Sequence, residues 1–290
     1  MINGSIPALI TPFRAGKVDE ARFQSFVEWQ IEQGSNGLVP CGTTGESSTL
    51  SLEEHMRVVA LCVEAAARRV PVIAGAGSND TAAAIELSQA AKKAGADAVL
   101  LVAPYYNKPS QDGLFAHYKA INDAVDIPMV IYNVPSRTVV DISPETMGRI
   151  SKLANVIGVK DASADLTRVA RHRELCGDKF VQLSGNDDTA VDFCQLGGAG
   201  CISVTANVAP KLCAQVQAAL RKGDVDAARD LDAKLHGLHR AMFIEPSPAP
   251  AKYAASLLGK SSEEVRLPII PCSEPAKGII RAAMIAADLL

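Results

Sequence analysis

Short apolar, β-branched runs recur along the whole chain and constrain its fold more than any other feature. They read "IPALI" from Ile6, "GLVPC" from Gly37, "VPVIAGA" from Val70, "DAVLLVA" from Asp97, "IPMVIY" from Ile127, "NVIGVK" from Asn155, "FVQLS" from Phe180 and "CISV" from Cys201. These runs are nearly continuous rather than alternating, the pattern of strands buried on both faces by covering helices. Helical periodicity fills the intervals: Phe23, Phe26, Val27 and Ile31 share a face, as do Val58, Val59, Cys62 and Val63, then Leu114, Tyr118, Ile121 and Val125. Boundary signals agree, with a Ser51/Glu54 capping box, Asn79 or Asp80 at the next helix start, and Gly34 and Gly95 after helix ends. About eight strand–helix units in succession predict an α/β fold of the (β/α)8 TIM-barrel type over residues 1–223, since a doubly wound sheet usually has fewer strands.

Residues 224–290 then form a C-terminal helical appendage. "DVDAARDLDAKLHGLHRAMF" reads as one helix and "EPSPAP" as a proline-rich joint after it; such an addition commonly builds a subunit contact. With 48% hydrophobic and 21% charged residues, the chain has the balance of a globular protein with ample core material. A formal charge of -3 gives no electrostatic case for nucleic acid or an anionic membrane. The opening "MINGSIPALITPF" lacks a basic start, and no apolar run approaches the roughly 20 residues of a membrane span, so a cytoplasmic location is expected. The seven cysteines are scattered and lack a Cys-x-x-Cys pair, as buried small hydrophobes would be rather than disulfides or zinc ligands. Cys41 stands apart because it adjoins a candidate site.

In a barrel, chemistry gathers at the C-terminal ends of the strands. Lys160 ends the sixth strand, Tyr132 the fifth, and "GTTGES" from Gly42 follows the second, so all three face one mouth. Lys160 either snorkels, with its stem covering apolar surface, or serves as a buried amine. The Gly-Thr-Thr turn either leads into the helix capped by Ser51 or offers backbone N–H groups and the Thr43 and Thr44 hydroxyls to a small carboxylate. Tyr132 is either a core aromatic with a satisfied hydroxyl or a proton carrier. Arg137 in "YNVPSRT" has the planar fork suited to gripping a carboxylate at two points.

Other motifs carry less. "GAGSND" from Gly75 follows a strand, but Asp80 stands where a dinucleotide fingerprint needs its third glycine. "LLGKSS" imitates the tail of a P-loop with Ala254 in place of the upstream glycine. "HGLH", His236 to His239, has helical spacing without a third ligand and is expected on a solvated helix face. "GGAGCISV" from Gly197 sits where barrels often bind phosphate, yet no paired basic residue accompanies it.

Taken together, "ALITPF", "GTTGES", "PYYNKPSQDGLFAHYKAI", "IYNVPSRT", "VIGVKDAS", "LSGND", "GGAGCISVTANVAP" and "FIEPSPAPAK" resemble the dihydrodipicolinate synthase family of pyruvate-dependent class I aldolases over essentially the whole length. The resemblance implies that Lys160 forms a Schiff base with pyruvate, whose enamine condenses with aspartate semialdehyde. That chemistry needs a neutral amine, which an apolar surrounding favours, and it needs no cofactor and no metal. By the same resemblance Tyr132 and Thr43 belong to a proton relay that Tyr106 completes from a neighbouring subunit. Thr44 corresponds to a binder of the pyruvate carboxylate, Arg137 to a binder of the second substrate's carboxylate, and Gly185 and Ile202 to pocket walls that act through backbone atoms. A homo-oligomer follows, at least a tight dimer and commonly a tetramer.

Sugar-acid aldolases share the lysine, the tyrosine and the Gly-rich turn, so Arg137 is the residue that favours an acidic aldehyde over a sugar aldehyde. A barrel that binds keto acids without turnover is the remaining alternative. Asp161 replaces a glutamate common after the lysine, and Ser163-Ala164 replaces a common Thr-Gly. Feedback-inhibited relatives bind lysine through residues matching Ser47, His55, Asn79 and Tyr105, with a histidine and a glutamate where this chain has Leu52 and Ala83. Losing that carboxylate predicts weak or absent lysine inhibition.

Overall fold

The computed structural model describes residues 2–290. Strand β1 (Gly4–Pro7) is followed by a small hairpin of β2 (Phe13–Arg14) and β3 (Lys17–Val18). The remaining strands are β4 (Ile73–Gly75), β5 (Ala98–Val102), β6 (Met129–Asn133), β7 (Val156–Asp161), β8 (Val181–Ser184) and β9 (Gly200–Ser203). Seven of them form one parallel sheet in the order β1-β9-β8-β7-β6-β5-β4. The sheet curls on itself, and Leu38 and Val39 close the gap between its ends: Val39 bridges to Ala8 beside β1, and Leu38 to Val72 beside β4. The molecule is therefore a TIM barrel.

The second strand, expected over "GLVPC", is thus reduced to these two bridging residues. Proline is the cause. Pro40 has no N–H to extend the ladder, and Pro7 and Pro71 in the flanking segments act only as acceptors, from Val39 N at 3.0 Å and Leu38 N at 2.9 Å.

Helices α1 (Glu20–Glu32), α2 (Leu52–Ala66), α3 (Thr81–Ala94), α4 (Gln111–Ala124), α5 (Pro135–Thr138), α6 (Pro144–Ile150), α7 (Thr167–Cys176), α8 (Ala190–Gln195) and α9 (Pro210–Arg221) cover the sheet. The Ser51/Glu54 capping box is present, Asp80 caps α3 through the N–H of Ala82, and Gly95 ends α3 at φ 91°. Side chains on each strand divide between two layers. Ile6, Val39, Ile73, Leu100, Val130, Leu183 and Ile202 fill the barrel interior, whereas Val99, Leu101, Ile131 and Val159 pack outward against the helices.

The C-terminal part comprises α10 (Val225–Ala233), α11 (His236–Ala241), α12 (Ala249–Leu257) and α13 (Glu274–Ala286). The single helix expected from Asp224 to Phe243 is broken between α10 and α11. Leu235 N bonds back three residues to Asp232 O at 2.8 Å, a tighter turn than the α-helix makes. That turn buries both Leu235 and Leu238. Among the described residues, no helix is long and apolar enough to cross a membrane.

Candidate active site

The parallel register of β6 and β7 places Tyr132 beside Lys160. Both strands continue one residue beyond these side chains, to Asn133 and Asp161, so the two point inward just below the rim rather than at the strand ends. Lys160 is 6% exposed, and its Nζ lies 4.1 Å from the centroid of the Tyr132 ring. Lys160 does not snorkel to solvent; it ends in a cavity of about 640 Å³ at the barrel mouth.

That cavity is lined by Thr43, Thr44, Tyr132, Arg137, Lys160 and Gly185 from the sequence-derived set. Thr43 and Thr44 reach it on a tight turn in which Gly45 N and Glu46 N bond back to Gly42 O and Thr43 O, both at 3.1 Å. Arg137 is carried by α5, whose first residue, Pro135, is pre-set for a helix start. The loop is anchored below by Asn133, which donates to Asp141 Oδ1 at 2.8 Å and accepts from Ile142 N at 3.1 Å. Gly185 must lack a side chain: a Cβ there would lie 2.7 Å from Ala162 Cβ and 3.1 Å from Lys160 Cε. Asp161 turns away from the cavity and accepts from Ser163 N at 2.8 Å and Ser163 Oγ at 2.5 Å.

Two residues of that set lie elsewhere. Ile202, expected at the wall through its backbone, has its side chain in the barrel interior, and Val204, two residues further on, lines the cavity. Tyr106 is 89% exposed, adopts φ 68° and does not line the cavity of its own chain. Cys41 is fully buried and burial pushes its thiol up, which makes it a poor nucleophile.

The walls also include Asn186, Asp187, His239, Arg240, Phe243 and Ser247. Asp187 pins the neighbouring loop by accepting from Val204 N at 2.9 Å, Thr205 N at 3.1 Å and the Ser203 hydroxyl. His239 corrects the expectation for "HGLH": only His236 faces solvent, while His239 is 4% exposed. Its ring sits between Thr205 Oγ1 at 2.8 Å and Asp232 Oδ1 at 3.3 Å. Burial lowers the His239 pKa, but the Asp232 hydrogen bond and the Asp187 and Asp232 charges outweigh it and leave it raised.

The other motifs have structural tasks. Asp97 lies at the other end of the barrel from the "GAGSND" turn, where it accepts from Val72 N at 2.8 Å. Lys260 of "LLGKSS" lies over the Trp29 ring, 4.8 Å from its centroid.

Residues 1–287 match the dihydrodipicolinate synthetase family. The chain belongs to that family. The 4-hydroxy-tetrahydrodipicolinate synthase of Parvibaculum lavamentivorans is 60% identical over 290 residues, spanning 100% of both chains. A solved structure of the chloride-inhibited dihydrodipicolinate synthase from Acinetobacter baumannii, complexed with pyruvate, gives a TM-score of 0.98 at 45% identity over 100% of both chains. The enzyme from Cyanidioschyzon merolae with lysine bound gives 0.96 at 36% identity over 99% of each. Family membership favours the synthase chemistry over the sugar-acid and non-turnover alternatives.

Proposed function

We propose that this chain condenses pyruvate with L-aspartate 4-semialdehyde to form 4-hydroxy-tetrahydrodipicolinate, through a Schiff base on Lys160. The observation that carries the reading is the buried Lys160 amine over the Tyr132 ring, in one cavity with Thr43, Thr44 and Arg137. Lys252, the other buried lysine among the described residues, is ion-paired to Glu46, whereas Lys160 opens onto the cavity.

The neutral Lys160 amine attacks C2 of pyruvate, and loss of water leaves an imine. Removal of a C3 proton converts it to an enamine, whose C3 attacks the aldehyde carbon of the second substrate. That substrate's amino group then adds to C2, and Lys160 leaves as the ring closes. Each step moves a proton, and Tyr132 and Thr43, whose hydroxyls are among those lining the cavity, carry it in this reading. The Thr43-Thr44 turn holds the pyruvate carboxylate, with Thr44 as its side-chain partner. Arg137 holds the carboxylate of the aldehyde as a bidentate donor. Gly185 leaves room for the Lys160 stem.

Tyr106 acts in a second copy of the chain, completing the partner's proton relay; its 89% exposure supports this reading. The protein is accordingly at least a dimer. Residues 1–223 supply the catalytic barrel, and residues 224–290 an appendage that adds His239, Arg240 and Phe243 to the cavity wall.

The test is pyruvate consumption with aspartate semialdehyde beside sugar-derived aldehydes at matched concentrations. Preference for aspartate semialdehyde is expected; preference for a sugar aldehyde would move the chain to a neighbouring aldolase activity.

A further inference from the structure

The turn that carries Thr43 and Thr44 is gripped from the far end of the chain. Glu46, two residues beyond Thr44, is 4% exposed and takes φ 58°. A side chain in the left-handed region is unfavourable because its Cβ crowds the backbone, so something must hold it there. Lys252 of α12, 0% exposed, donates to Glu46 Oε1 at 2.5 Å and to Glu264 O at 2.6 Å, while Arg266 N donates to Glu46 Oε2 at 2.9 Å. The Arg266 guanidinium extends the grip, reaching both Glu54 oxygens at 2.6 Å and Thr49 O at 2.9 Å. Lys252 and Arg266 also lie over the Phe13 ring, 3.9 Å and 4.3 Å from its centroid.

Desolvation makes a buried ion pair a poor source of net stability, and its best-attested use is to select one arrangement among several. Here the desolvation is real: burial pulls the Lys252 amine down to about 8 despite the raising influence of Glu46. The turn on the other side of the pair is the piece of the site whose backbone geometry matters most, because a carboxylate held by N–H groups tolerates little displacement. Thr11 secures the same turn from below, its hydroxyl donating to Gly45 O at 2.7 Å.

We infer that Lys252 and Glu46 are positioning residues for pyruvate: the C-terminal segment holds the Thr43-Thr44 turn in its carboxylate-binding shape through this buried pair. The inference rests on the assignment of that turn to the pyruvate carboxylate. It assigns the C-terminal segment a part in ground-state binding of the first substrate, separate from any subunit contact.

The experiment compares the unaltered protein with Lys252→Met and with Lys252→Met/Glu46→Gln, reading half-saturation for each substrate, kcat and thermal midpoint. In Lys252→Met the pyruvate half-saturation concentration rises roughly tenfold or more, the loss of one charge-assisted hydrogen bond, while half-saturation for the aldehyde is unchanged. The double variant, free of the unpaired carboxylate, recovers its thermal midpoint but keeps the raised pyruvate value. Return of the pyruvate value to that of the unaltered protein in the double variant would overturn the inference. A parallel loss of both half-saturation values and the thermal midpoint in both variants would overturn it as well, leaving a purely structural pair. Borohydride reduction of the unaltered protein with pyruvate separates the two layers. A trapped adduct with an unmoved Lys252→Met pyruvate value rejects the positioning role alone; no adduct rejects the pyruvate reading and this inference with it.

Discussion

Tyr132 and Lys160 face each other across adjacent parallel strands, with the amine 4.1 Å from the phenol ring centroid. The contact orients the amine with a π face rather than with a carboxylate. The tyrosine hydroxyl thereby stays available for proton transfer. Tyr132→Phe retains the ring and removes the hydroxyl, so kcat is expected to fall by about 10²- to 10⁴-fold while borohydride still traps pyruvate. Stopped reaction assays beside trapping yields check this; equal loss of both would assign Tyr132 to binding.

Gly185 tests how closely the Lys160 stem is confined. A methyl group at this position meets Ala162 Cβ at 2.7 Å and Lys160 Cε at 3.1 Å. Gly185→Ala is expected to displace the amine and lower kcat/KM by about a hundredfold, the usual consequence of an ångström-scale misplacement. Steady-state kinetics with a thermal melt distinguish this from unfolding, since the melt should move much less than the rate.

Glu54 joins the α2 capping box to Arg266. Its carboxyl is pushed down to about 2, first by the Arg266 hydrogen bonds, with burial opposing and Ser51 N and the Arg266 charge assisting. A carboxylate depressed in the folded state stabilises above its unfolded value, 4.5, and loses that contribution as pH falls toward 2. Glu54→Gln should therefore lower the thermal midpoint at neutral pH and narrow the difference from the unaltered protein at pH values below 4.5. A gap that stays constant across the acid range would contradict the linkage.

Leu52 and Ala83 bear on the feedback expected from the family resemblance. Leu52 is 45% exposed, and His55 is buried with Nε2 2.7 Å from Gly75 O. Neither Leu52 nor Ala83 offers a charge to a lysine amine, so added lysine is expected to leave the rate little changed. Strong inhibition at sub-millimolar lysine, in a titration at fixed substrates, would refute this.

The barrel was legible because strands buried on both faces leave a signal in composition alone: the runs at Ala98–Val102 and Met129–Asn133 lie within a residue or two of their apolar limits. The Leu38–Val39 segment was harder, because Val39 and Leu38 look like strand residues while the prolines around them cap the ladder. Residues near the strand ends were equally visible, since barrel topology sends Thr43, Tyr132 and Lys160 to one mouth, while Gly185 was legible only through the family resemblance. Asn186 and Asp187 stood in the same "LSGND" strand end and were reachable by that rule.

His239, Arg240 and Phe243 were not. His239 and Arg240 come from α11 and Phe243 from the turn just after it; their approach to the cavity depends on the turn between α10 and α11, and helical periodicity alone gave no sign of it. The Lys252–Glu46 pair was hidden for the same reason: 206 residues separate the partners, and only the folded path of the C-terminal segment joins them.

Everything proposed for the site follows from Lys160 being the amine that holds pyruvate. Reduction with borohydride in the presence of pyruvate, followed by peptide mapping by mass spectrometry, tests it directly. One reduced adduct is expected, on Lys160 and absent in Lys160→Arg. An adduct on another lysine, or none in the unaltered protein, would contradict it.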